Sequence, residues 1–378
     1  MSTSGDPPVP ARPAAASELP PAAPAPVAAS LRRAGPQDLG AVRELLAQRD
    51  GSPWDESSTR WFVHGLDPAR CVAWIAFVGA KPVGLSTLFL RDLRGPSGRA
   101  HAGYWANLYV DPAYRDHMLY PRLPLAMFAA AKDLGIEFIY GSLRRLGLLE
   151  AHTRLGFAKL GPLAVLVRPL RPLRLVGRYK GWRALAAVSP PLDGLYGVAL
   201  ALRRARPLPG ITIEALDPAT TSLAEILNAA SARRMTCTWT DESFRYRYAR
   251  TREGTRFFLA GIRRGGALLG GVVYRIAERL GGIRAGVVMD AIVPAGEEPL
   301  LAAALAMASE HALREDCDLM MFLDGIGPEV SRLFVSCGYR PSPERYEMIL
   351  WPRQRAAADP ALAVAAGWRF GFGDHDAF

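Results

Sequence analysis

The sequence predicts a mixed α/β protein with two similar units in one chain, each a mixed, partly antiparallel sheet flanked by helices. Three observations predict it. First, a segment occurs twice. Asn107-Leu-Tyr-Val-Asp-Pro-Ala-Tyr-Arg115, a helical stretch, Phe138-Ile-Tyr-Gly141 and Arg154-Leu-Gly-Phe157 form the first copy. Met289-Asp-Ala-Ile-Val-Pro294, a helical stretch, Leu319-Met-Met-Phe-Leu323 and Val335-Ser-Cys-Gly-Tyr339 form the second. Pro112 and Pro294 lie 182 positions apart, as do Phe157 and Tyr339, so neither copy has a net insertion between these landmarks. Second, strands are mixed with helices rather than strictly alternating with them, which argues for a partly antiparallel sheet. Third, 378 residues with 50% hydrophobic content suffice for two buried cores.

The elements follow in order. Residues 1–30 hold eight prolines and nine alanines without an apolar period and read as a disordered tail. The first unit, 31–168, opens with a strand at Leu31, then a helix from Pro36 through Val42, Leu45 and Leu46, and a second helix from Glu56 to His64. Cys71 to Val78 and Val83 to Leu90 read as a hairpin turned at Gly79, followed by a strand from His101 to Val110. Leu123, Met127, Ala130 and Leu134 recur at helical spacing. A strand at Phe138, a helix from Leu148 to Leu155 and a strand from Leu163 to Val167 complete the unit.

The second unit, 210–352, repeats this order: strand Ile211, helix Leu223–Arg233, hairpin Phe257–Ile276, strand Ala285–Ile292, helix Leu301–Ala312, strand Leu319–Leu323, helix Glu329–Ser336, strand Tyr346–Trp351. Residues 169–209 read as a basic linker and 353–378 as a C-terminal tail.

Composition excludes several classes. No apolar run is long enough for a bilayer, and no signal peptide opens the chain, so a cytoplasmic location is expected. The four cysteines are scattered without a CxxC pair or a histidine at zinc spacing, so no metal is expected. The net charge of +10 is concentrated: residues 168–206 carry nine basic residues against Asp193. No nucleic-acid motif accompanies them, and nucleic acid is not expected as a partner. The segment reads as a packing linker riding over both units, with a weak peripheral contact to an acidic membrane as the sharper alternative.

The stretch Val110-Asp-Pro-Ala-Tyr-Arg115 resembles the strand end and loop that open the acetyl-CoA site of the GNAT acetyltransferase superfamily. The 182-residue repeat resembles a tandem GNAT arrangement. Two further segments, Asp241-Glu-Ser-Phe-Arg-Tyr-Arg-Tyr248 and Trp368-Arg-Phe-Gly-Phe-Gly-Asp-His-Asp376, are similar to motifs of a tandem subgroup associated with surface-polysaccharide and cell-envelope genes.

The resemblance implies an acyl-CoA-dependent N-acyltransferase, with acetyl-CoA as co-substrate and the amine of a small molecule or amino sugar as acceptor. It places the coenzyme on Val110, Arg115, Asp116, His117 and Met118, although Met118 and Tyr120 stand where that pattern has small residues that let backbone approach a diphosphate. His152 occupies the position of a tyrosine that protonates the leaving thiolate; Phe334 takes that place in the second copy and cannot. Asp290 is the candidate base, with a structural aspartate as the alternative. Tyr104, Asn107, Arg247 and Tyr248 are candidate acceptor contacts. The competing readings are a non-catalytic binding protein with decayed cofactor loops and an aminoacyl-tRNA-dependent transferase of the peptidoglycan-bridge type. Monomer and dimer are both compatible with the sequence.

Overall fold

Each half begins with a strand and two helices. In the first these are β1 (Ala29–Arg33), α1 (Leu39–Asp50) and α2 (Glu56–Phe62). Asp55 starts α2 by accepting the Ser58 N–H at 2.7 Å, and Gly51, at φ 66°, ends α1 in the left-handed region. Strands β2 (Cys71–Val78), β3 (Lys81–Gly95) and β4 (Gly98–Val110) form an antiparallel meander. Then come α3 (Leu119–Ala131), β5 (Phe138–Leu143), α4 (Leu149–Arg154) and β6 (Ala158–Pro169). The computed structural model describes residues 28–144, 146–202, 208–249 and 256–374. The predicted N-terminal tail therefore lies almost wholly outside the described residues, and β1 starts two positions before the predicted Leu31.

Three helices, α5 (Pro172–Lys180), α6 (Arg183–Val188) and α7 (Pro190–Leu202), join the halves. The second half repeats the plan as β7 (Ile211–Leu216), α8 (Ala224–Ala230), the two-residue β8 (Thr236–Cys237), α9 (Asp241–Ala249), β9 (Phe257–Arg264), β10 (Ala267–Arg279) and β11 (Ile283–Ile292). It continues with α10 (Leu301–Arg314), β12 (Leu319–Asp324), α11 (Pro328–Ser336) and β13 (Arg340–Trp351), and α12 (Arg353–Ala358) and α13 (Pro360–Ala363) follow.

Among the described residues all the strands belong to one sheet, in the order β1-β2-β3-β4-β5-β13-β6-β12-β11-β10-β9-β7, with β8 added on β3. The order is symmetric about the β13/β6 junction once each strand is matched to its repeat. It also shows what the repeat alone does not: the final strands are exchanged. β6 leaves its own half to pair with β12, Leu319 opposite Pro169 through Asp324 opposite Ala164. β13 pairs with β5, Glu347 opposite Leu143 through Trp351 opposite Ile139. The predicted limits 31–168 and 210–352 separate the repeats along the chain, but the sheet interleaves them.

The alternation of side chains across the strands makes two faces. On one, a single apolar core runs through both halves under α1, α2, α8 and α9, taking Phe138 and Tyr140 of β5, Met348 and Leu350 of β13, and Met321 and Leu323 of β12. On the other, Ile139 and Ile349 face a core under α3, while Met320 and Phe322 face a second core under α10. The repeated helices α2 and α9 meet through reciprocal bonds, Trp61 Nε1 to Tyr246 O at 2.9 Å and Tyr246 Oη to Trp61 O at 2.7 Å.

The predicted C-terminal tail is core rather than tail. Trp368, Phe370 and Phe372 are fully buried, and Trp368 packs 5.0 Å from Tyr140. His375 and Asp376 lie outside the described residues. No helix among the described residues is long and apolar enough to cross a membrane.

Candidate functional site: one open and one filled cleft

In each half, two parallel neighbouring strands pair at one end and separate at the other. In the first half, β4 and β5 pair at Ala102–Phe138, Gly103–Ile139 and Tyr104–Tyr140, and beyond that β5 is bonded on its far side to β13. A bulge in β4 widens the gap. Thr87 lies opposite Ala106 and Leu85 opposite Tyr109, so Asn107 and Leu108 leave the ladder, and Asn107 takes φ 56°. Its side chain is held from two sides, donating from Nδ2 to Thr87 Oγ1 at 2.7 Å and accepting at Oδ1 from Arg49.

Two cavities open on this gap. One, of about 460 Å³, is lined by Arg49, Asp50, Tyr104 and Arg115; the other, of about 180 Å³, by Tyr120, Gly141 and His152. They share a wall of Trp105 to Leu108, Ser142 and Arg144, so together they follow the gap from one face of the sheet to the other. Arg144 is anchored across the halves, its Nε 3.0 Å from Glu344 of β13. The strand exchange thus helps build the first-half cleft.

His152 is buried on α4, with its ring 4.9 Å from Trp105 and 5.6 Å from Phe157. Its Nδ1 lies 2.7 Å from Leu148 O and 3.3 Å from Tyr120 Oη. A carbonyl only accepts, so the proton is on Nδ1 and Nε2 keeps the lone pair. Burial holds the imidazole below its ordinary value, which favours this neutral form. The expected role is therefore revised: a neutral His152 with Nδ1 committed to Leu148 is an acceptor at Nε2, and a poor acid. The hydroxyl that can donate is Tyr120, pushed up to about 12 by burial and so fully protonated.

The sequence casts Tyr120 and Met118 as obstacles. The structure turns Tyr120 inward beside His152 and leaves Met118 largely exposed, at 68%, in the left-handed region that caps α3. The predicted coenzyme loop is a tight turn. Asp111 accepts the Ala113 N–H at 3.0 Å and pairs with Lys81 at 2.9 Å, which holds its carboxyl below the usual range. Arg115 Nε reaches back to Val110 O at 3.5 Å. His117 Nδ1 is buried and has no hydrogen-bond partner among the described residues. The Asp116 side chain lies outside the described residues. No described side chain caps the first turn of α3, although Pro121 removes one N–H from it.

These features fit an acyl-pantetheine arm in the gap and an anionic group at the start of α3, with fewer donors than a glycine-bearing loop provides. No cluster of His, Cys, Asp or Glu among the described residues is arranged to hold a metal.

The second-half cleft has the same origin: β11 and β12 pair from Ala285–Leu319 to Val288–Phe322 and then part. Here the chain's own C-terminal segment fills the opening. Gly373 N–H donates to Met289 O and Phe370 N–H to Gly325 O, each at 2.8 Å. A Cβ on Gly325 would collide with Phe370 O, so this contact requires glycine. Arg369 closes on Asp290 at 2.5 Å, with both side chains buried. Asp290 is thus a structural anchor, which corrects its assignment as a base. Phe334, at the position matching His152, is buried and stacked on Phe322 at 3.8 Å.

The remaining candidates divide. Tyr104 lines the larger first-half cavity beneath the Arg91 guanidinium, whose Cζ is 4.4 Å from the ring centroid. Arg247 lines a different cavity of about 330 Å³ between the halves, with Arg91, Trp61 and Trp239. Tyr248 lines neither; it packs against Phe244 and Phe257 with its hydroxyl at Gly373, which brings the two subgroup-like segments together as packing partners.

No protein-family model matches the chain, and no curated protein matches it in sequence. Solved structures match it over 85% of its length. A GCN5-related N-acetyltransferase from Anabaena variabilis ATCC 29413 aligns with TM-score 0.59 at 10% identity over 72% of its own chain. A conserved protein from Enterococcus faecalis V583 aligns at 0.60 and 10% identity over 72% of its chain. A tandem GNAT protein from the clavulanic acid biosynthesis pathway aligns at 0.58 and 14% identity over 98% of its chain. At such identities the likeness shows the fold alone.

Proposed function

From its tandem GNAT fold, we propose that the chain is an acyl-CoA-dependent N-acyltransferase that works from the first half alone. The observation that carries this reading is the contrast between the clefts: one is open with a base and a hydroxyl at its wall, the other is filled by residues 368–374. Acetyl is the acyl group we favour, and a primary amine on a small molecule or amino sugar is the acceptor.

The chemistry divides among this chain's residues as follows. The acyl thioester lies in the gap between β4 and β5, with its diphosphate at the turn from Arg115 to Met118. The amine enters past Arg49, Asp50 and Tyr104. His152 Nε2 accepts its proton, directly or through one water. Nitrogen attacks the thioester carbonyl, and the backbone N–H groups that the Asn107 bulge frees from the ladder hold the developing oxyanion. The C–S bond breaks, and Tyr120 Oη gives its proton to the departing thiolate. The proton that His152 took from the amine then returns to the Tyr120 phenolate, through water or across the 3.3 Å contact between the two side chains, which restores both groups. The balance is one amide and one free thiol.

The test combines binding with turnover. Acetyl-CoA at about a hundredfold excess over its dissociation constant should stabilise the fold by about 2.7 kcal/mol in thermal unfolding. Thiol release with an amine panel should follow, and Met118→Arg, but not Pro299→Lys in the second half, should change the shift. Absence of any shift rejects the acyltransferase reading. A shift without thiol release for any amine supports a binding protein instead.

A further inference from the structure

Among the described residues, eleven large hydrophobic side chains are exposed, and six of them fall between 176 and 195. They are Val176, Tyr179, Trp182, Val188, Leu192 and Leu195, at 44–70% exposure. Such crowding is not the scatter expected of an ordinary surface.

Ion pairs on the opposite side of α5 fix this face outward. Arg174 contacts Asp316 at 2.7 Å and Asp318 at 2.5 Å, and Arg178 contacts Asp318 at 2.6 Å. Arg171 also pairs with Asp316. Arg174 and Arg178, four apart, share the inward face, so Val176 and Tyr179, three apart, share the outward one. In α7, Asp193 is buried and accepts the N–H groups of Leu173 at 3.0 Å and Arg174 at 3.1 Å, which turns Leu192 and Leu195 away from the body.

We propose that the outward face of α5–α7 is a docking surface for an anionic lipid bilayer. Charge decides the occupant. Lys180 is exposed beside Tyr179, and Asp193, the one acid in the sequence from 176 to 196, is buried in its capping role, so the described charge on this face is positive. A second copy would offer no exposed acid from this face to Lys180, whereas an acidic headgroup layer attracts it, at a distance set by salt. Trp182 and Tyr179 have the amphipathic rings that settle at headgroup depth, and the Lys180 stem can lie along them with its ammonium in water. The helices are too short and interrupted to span, so the contact is peripheral. It places an acyltransferase at a membrane surface without requiring that reading to be correct.

The test is cosedimentation of the full chain with vesicles of phosphatidylcholine and with vesicles of equal parts phosphatidylcholine and phosphatidylglycerol. Binding to the anionic vesicles, weakened by added salt, is expected. The exposed double substitution Tyr179→Ser/Trp182→Ser should lower the partition coefficient about tenfold, with the unfolding temperature and the acetyl-CoA shift unchanged. Lys180→Glu should weaken binding to anionic vesicles alone. No binding to anionic vesicles, or equal binding by the double variant, overturns the proposal. A dimer in light scattering that the double variant dissolves would assign the face to a second copy, and overturns it equally.

Discussion

Arg369 Nη2 donates to Asp290 Oδ1 at 2.5 Å, and through this bond the C-terminal segment is locked into the opening between β11 and β12. Both side chains are less than 5% exposed. Burial pulls the guanidinium down, and its anionic surroundings, Asp290 first and then Asp374, more than offset that. Arg369→Met should therefore leave an uncompensated buried carboxylate and cost about 3–5 kcal/mol in urea unfolding. Asp290→Asn combined with Arg369→Met should recover much of the loss, because the carboxylate that Arg369→Met leaves unpaired is removed with it, while the neighbouring buried Asp374 keeps its bond from the Gly371 N–H at 3.0 Å. A single variant as stable as the parent would mean that the pair does not hold the segment.

The exchange of β6 and β13 makes a second prediction. Without β13, β5 has a bare edge over five residues; without β6, β12 has one over six. Chains cut within 203–207 should each fail to give cooperative unfolding and should aggregate through those edges. Expressed together, they should recover a soluble complex with the circular dichroism of the intact protein. Two independently folding halves would contradict the interleaved sheet.

The repeat, the element order and the aromatic landmarks were all legible in the sequence, because they rest on local periodicity and fixed spacing. The strand exchange was not: β6 and β13 have the same apolar alternation whichever neighbour they join, and no residue pattern names the partner. Side-chain direction was equally hidden. Tyr120 read as an obstacle because its place in the motif belongs to a small residue, yet its rotamer takes it to His152. Asp290 read as a base because its partner, Arg369, lies 79 residues away. The glycines between the C-terminal aromatics carried a usable signal, since Gly371 and Gly373 both lie against Met289 O, where a side chain would crowd.

The pH dependence of stability follows from His152. Its folded value is depressed by burial below the ordinary 6.5. Below 6.5 the unfolded chain binds a proton that the folded chain does not, so stability falls as pH drops through that value and is retained above it. His311 is depressed for the same reason, burial, although Glu315 opposes it. Urea midpoints should decline from pH 7 toward pH 5, and His152→Gln should flatten part of that decline. An unchanged slope in the variant would place the imidazole in water rather than in the core.

The division of labour between Tyr120 and His152 is open to kinetic test by the sign of its pH response. A base at His152 Nε2 predicts that kcat falls as pH drops and the ring protonates; an acid there predicts a fall as pH rises. The acceptor role assigned by the Leu148 bond requires the first, so the acidic limb should disappear in His152→Gln, with kcat lowered about 10²–10⁴-fold. Tyr120→Phe removes one hydroxyl whose bond to Nδ1, at 3.3 Å, is long, so the fold should lose little. Its kcat should drop about tenfold or more while KM for the amine stays near the parent value, since the hydroxyl acts on the leaving thiolate and not on the acceptor. A thioester with a more acidic leaving thiol needs less protonation, and should narrow the gap between Tyr120→Phe and the parent. If the gap is the same for both thioesters, the proton to sulfur comes from elsewhere.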